Sequence, residues 1–110
     1  MFLSCSSLTE INLTTFNTAN LESTKEMFSG CENLTSIIFG DNFNTNKVID
    51  MNKMFGSCSK LTSIDLSKFN TELVTDMSYM FWACSNLTEI NLTTFNTANL
   101  ENIGGMFLGC

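Results

Sequence analysis

The pair Met-Phe recurs at Met1-Phe2, Met27-Phe28, Met54-Phe55, Met80-Phe81 and Met106-Phe107, and a cysteine follows each Met by four positions, at Cys5, Cys31, Cys58, Cys84 and Cys110. A fixed period of this kind confines a chain to repeat architectures, because each unit is too short to bury its own apolar face and must stack on a copy of itself. The steps are 26, 27, 26 and 26 residues, and the extra residue lies in Gly40-Asp41-Asn42, where it must bulge from a turn. Residues 8–22 recur identically as 87–101. The chain therefore divides into a partial repeat, 1–5, and four repeats, 6–31, 32–58, 59–84 and 85–110, in one array.

Each repeat has two halves with different periods. The first reads Leu-Thr-x-Ile-x-Leu, from Leu8 to Leu13, Leu34 to Phe39, Leu61 to Leu66 and Leu87 to Leu92. Its alternation places Ile11, Ile37, Ile64 and Ile90 on one face with Leu13, Phe39, Leu66 and Leu92, which predicts a short strand with one buried side. In the second half Met77, Met80, Phe81 and Cys84 fall at i, i+3, i+4 and i+7, which predicts a helix of about two turns. Ser23, Asp50, Asp76 and Asn102 occupy one repeat position and share the ability to cap a helix N-terminus, and Ser23 with Glu26 forms a capping-box pattern. The residue before each Cys is small (Ser4, Gly30, Ser57, Ala83, Gly109), as close approach of neighbouring backbone requires.

Between the halves stands Phe-Asn-Thr, beginning at Phe16, Phe43, Phe69 and Phe95. An Asn side chain both donates and accepts, so Asn17, Asn44, Asn70 and Asn96 are expected to form a ladder between coils that satisfies turn backbone. The five cysteines form a second column. Spread along a line at steps of about 4.8 Å, they cannot converge on a metal; the expectation is buried thiols acting as small hydrophobes, with disulfides between neighbouring pairs within reach, one Cys left over, as the alternative.

The Leu-x-x-Ile-x-Leu strand in a 26-residue unit resembles the leucine-rich repeat. More narrowly, Met77-Ser78-Tyr79-Met80-Phe81-Trp82-Ala83-Cys84, followed by Leu87-Thr88-Glu89-Ile90-Asn91-Leu92 and Phe95-Asn96-Thr97, resembles the BspA-like family of bacterial and protozoan surface repeats. The resemblance implies an α/β leucine-rich-repeat solenoid with short parallel strands on one side and short helices on the other. It also implies a cell-surface or secreted protein, an adhesion or protein-binding module whose partner is a host matrix or cell-surface protein. Departures are Thr24 where the other repeats have Met51, Met77 and Ile103, the inserted residue, and Gly104-Gly105 in the last repeat.

Side chains on stacked strands make a wide, pre-ordered surface. Here the outward strand positions are Glu10, Asn12, Ser36, Ile38, Ser63, Asp65, Glu89 and Asn91, the candidate ligand-facing residues. Tyr79 and Trp82 occur in one repeat only, and aromatics are enriched in binding hot spots. The competing reading is a structural spacer or stalk segment with no ligand of its own, favoured by the identity of 8–22 with 87–101.

Charge and composition narrow the function. Five Lys and no Arg against eleven acidic residues leave a net charge of -6, which repels phosphate backbones and argues against nucleic acid. The chain has no His, which removes Ser-His-Asp triads, Cys-His dyads and imidazole metal sites. The expectation is a non-enzymatic protein with no catalytic residues, no metal and no cofactor. No apolar run reaches the ~20 residues of a membrane-spanning helix, so direct membrane insertion by this segment is not expected. Met1 and Cys110 both fall inside the repeat motif, so the stack is expected to continue into a longer array or to associate end to end.

Overall fold

The computed structural model describes all residues, 1–110. The apolar positions picked out by the repeat pack into one core. Phe28, Phe55 and Phe81 are fully buried. Phe2, Phe28, Phe55, Phe81 and Phe107 form a column of near-parallel rings, with successive centroids 5.5, 5.5, 5.3 and 5.7 Å apart. Inward Leu34, Leu61 and Leu66, together with Met51, Met54, Met77 and Met80, join the buried rings in one core cluster.

Two strands form, β1 (Glu10–Asn12) and β2 (Ser36–Ile38), paired in parallel with Ile11 opposite Ile37. The alternation continues in the third and fourth repeats, where Leu61 and Leu66 are buried and Asp65, Glu89 and Asn91 are exposed. These segments do not pair as strands, and one backbone bond, from Thr88 N–H to Thr62 C=O at 3.0 Å, joins them. One sequence feature acts against pairing: Asp65 and Glu89 put like charges on neighbouring segments.

The expected helix is absent. Over Thr24–Cys31 the backbone N–H groups alternate between two partners. Those of Thr24, Glu26, Phe28 and Gly30 donate to the carbonyls of Asp50, Asn52, Met54 and Gly56 in the next coil, at 2.8–3.0 Å. Those of Met27, Ser29 and Cys31 close turns onto Thr24, Glu26 and Phe28. The same alternation repeats over Met51–Cys58 and Met77–Cys84. A helix would consume these N–H groups internally, and at two turns it would be marginal by itself. Spent instead between coils, they lock each repeat to the next.

This chain of turns needs left-handed backbone at two positions per repeat. One column, Ser4, Gly30, Ser57, Ala83 and Gly109, has φ between 57 and 82°, and the other, Glu26, Lys53, Tyr79 and Gly105, has φ between 53 and 65°. These are third positions of turns, where a type II turn requires φ > 0. Small residues precede the cysteines for that reason and for space, since a Cβ on Gly30 would lie 3.2 Å from the Ser4 Cα. The spacing i, i+3, i+4, i+7 marked the buried residues correctly but not the backbone that carries them.

Ser23, Asp50, Asp76 and Asn102 are thus not helix caps. Each accepts the N–H two residues on, from Lys25, Asn52, Ser78 and Gly104, and the four pair laterally as parallel bridges through the stack. Glu26 does not complete a capping box. It occupies a left-handed turn position instead.

The ladder at Phe-Asn-Thr also differs from expectation. Each Asn Oδ1 accepts a local N–H, from Ala19, Asn46, Glu72 and Ala98, and Asn17 and Asn96 are exposed. The rungs are the Thr hydroxyls. Those of Thr18, Thr45 and Thr71 each donate to the carbonyl of the next coil's Asn and accept its N–H, at 2.6–3.0 Å. A hydroxyl does both jobs from a shorter stem and fits inside the coil. Thr24 is the counter-example, since its buried hydroxyl has no partner where other repeats carry Met or Ile. Thr24→Val is therefore expected to raise the unfolding free energy by about 1 kcal/mol, seen as a higher denaturant midpoint with unchanged slope.

Candidate functional site

Outward strand residues collect on one side of the stack. Glu10, Asn12, Ile38, Ser63, Asp65, Glu89 and Asn91 are exposed, and Ser36 is half-buried. Ser63, Asp65, Glu89 and Asn91 converge, with Ile64 and Ile90 at the base, around an open groove of about 400 Å³ between the third and fourth repeats. Glu10, Asn12, Ser36 and Ile38 stand apart on the β1–β2 ribbon. The groove exists because these two segments do not zip together. The backbone N–H and C=O groups of 63–65 and 89–91 make no bond within the chain.

Asn12, Asp65 and Asn91 share a second task. Each accepts an N–H two residues on, from Thr14, Ser67 and Thr93 at 2.9 Å, and so turns the chain out of the strand. The Ser67 N–H beside Asp65 holds its carboxyl below the usual carboxylate value. Asp65 and Glu89 give the groove two carboxylates and no cation. The nearest pair of opposite charges, Lys68 to Asp41 at 2.7 Å, lies at the following turn. Such a surface offers hydrogen-bond acceptors, open backbone groups and a shallow apolar floor, which suits recognition of a polar or basic partner surface.

The cysteine column is a structural ladder. All five thiols are free. The Sγ–H of Cys31, Cys58, Cys84 and Cys110 donates to the carbonyl of Phe2, Phe28, Phe55 and Phe81 in the preceding coil, at 3.0–3.3 Å. Burial pushes the Cys58 and Cys84 thiols up, Cys84 from 9.0 to about 12. A neutral thiol is thus favoured by folding. Its stabilisation is complete below the unfolded value of 9.0 and is lost as pH rises from there through about 12. Chemical unfolding at pH 7 and pH 10.5 is expected to show lower stability at the higher pH, and Cys84→Ala should flatten that dependence.

The family described as "Mycoplasma protein of unknown function, DUF285" matches residues 1–110. The chain belongs to this family. No curated protein matches it. Among solved structures, this family member is similar to a leucine-rich repeat protein from Bacteroides ovatus, with 27% identity and a TM-score of 0.64 over 100% of the present chain. It spans about 25% of the length of that protein. The DUF285 chain thus has a leucine-rich-repeat type of fold, with parallel strands on one side and laddered turns in place of helices.

Proposed function

We propose that this chain is a non-enzymatic protein-binding module of a cell-surface or secreted repeat protein, a solenoid segment that presents its strand side to a partner. The observation that carries the reading is the groove between the third and fourth repeats, where Ser63, Asp65, Glu89 and Asn91 face solvent beside backbone groups with no partner in the chain. The likeness to a leucine-rich repeat protein supports it, as these folds suit protein recognition through a rigid, repetitive face. The BspA-like resemblance of the motifs points to adhesion, with a host matrix or cell-surface protein as partner.

Solid-phase binding to immobilised matrix proteins tests this directly. The substitution Glu89→Lys changes an exposed side chain outside the turn bonds and is expected to weaken binding roughly tenfold or more without altering the thermal midpoint. Equal binding by both proteins would exclude the groove. The second reading, a spacer that projects other domains, is favoured by the identity of residues 8–22 and 87–101, and absence of any binding by the unaltered chain would support it.

A further inference from the structure

On the turn side, Lys53, Tyr79 and Trp82 line a second open notch of about 300 Å³. Tyr79 and Trp82 are 39% and 38% exposed, so both side chains are partly open to solvent. The Lys53 ammonium lies 5.8 Å from the Tyr79 ring centroid. It has no carboxylate partner, since the one ion pair of the chain joins Lys68 and Asp41.

Neighbouring residues hold the notch open and its walls fixed. Tyr79 sits in left-handed backbone, φ 56°, an unfavourable place for an aromatic residue. Its ring lies over Gly105, where a Cβ would fall 2.5 Å from it. Gly56 is in register with Trp82 one coil earlier, and Ser57 N–H donates to Trp82 C=O. Backbone geometry does not demand glycine at 56. Its φ is not positive, and an added Cβ would meet nothing closer than 3.4 Å. Gly56 is itself buried where the two coils meet.

A ligand for this place must cover two aromatic faces with a flat, weakly polar surface, carry one negative charge at its edge, and keep its other side in water. We propose that the notch binds an acidic sugar unit, a pyranose whose C–H face stacks on Trp82 and Tyr79 and whose carboxylate meets the Lys53 ammonium. A nucleotide also has ring and charge, but its several negative charges would meet a chain of net charge -6. This site is separate from the strand-side groove, and either can fail without the other.

Trp82 is the only Trp in the chain, so its emission reports this notch alone. A glucuronate-containing tetrasaccharide is expected to change that emission saturably, with a neutral glucose tetrasaccharide and benzoate each binding roughly tenfold more weakly or worse. Lys53→Met should remove the preference for the acidic sugar while leaving weak stacking. Tyr79→Asn, which suits left-handed backbone, should weaken binding with the fold retained by circular dichroism. No saturable change with the acidic tetrasaccharide, equal binding of the neutral one or of benzoate, or an unaltered preference in Lys53→Met would each overturn the assignment.

Discussion

Phe55→Ala is expected to lower the unfolding free energy by about 3–5 kcal/mol, a large share of the ~5–15 kcal/mol that holds a small domain. Phe55 is fully buried at the centre of the ring column, stacked between Phe28 and Phe81 and tilted against Phe69 at 6.4 Å. Truncation there removes transfer free energy and leaves a cavity bounded by rings whose backbone is tied to adjacent coils, so the gap cannot close. Phe107 belongs to the same column but is 41% exposed, and Phe107→Ala should cost less than half as much. Denaturant titrations followed by Trp82 emission and by circular dichroism measure both. Equal losses at the two positions would show that the column does not act as the core of the stack.

The second large effect is at the Thr rungs. Thr45→Val and Thr71→Val keep the side-chain shape but leave the N–H and C=O of Asn70 or Asn96 without their partner. Each is expected to destabilise the chain by about 1–3 kcal/mol. Asn44→Ala and Asn70→Ala remove only one local turn bond apiece and should cost about 1 kcal/mol or less. If the order of the two pairs is reversed, the inter-coil ladder belongs to Asn after all.

Much of the packing was legible because burial repeats with the sequence. The spacing of Met80, Phe81 and Cys84 points them inward, and all three are fully buried. Strand alternation points Asp65 and Glu89 outward, and both are exposed. What spacing could not distinguish was a helix from a run of turns, because both return a side chain to the same face every three to four residues. The usable signal was the small residue before every Cys. Together with Gly105 in the other column it marks left-handed backbone, which no helix interior accepts. The inter-coil rungs fall on Thr instead of Asn for a similar reason. Both residues of Phe-Asn-Thr bear hydrogen-bonding side chains, and only their depth in the coil decides which reaches the next one.

The groove and the notch were legible in part. The sequence supplied the eight outward residues and flagged Tyr79 and Trp82, but Lys53 and Gly56 come from the preceding repeat. Only the stacking of one coil on another brings them beside the aromatics.

The Met-Phe-x-x-Cys period by itself determined that this chain is a stack, which side chains form its columns, and where the extra residue must go. Those properties depend on composition at fixed intervals, and a period is visible in one dimension. Tertiary structure decided where each backbone N–H is spent: half on turns, half on the next coil along Thr24–Cys31, and none between residues 63–65 and 89–91. That choice is made by neighbouring coils competing for the same donors, so it exists only once the coils are in contact.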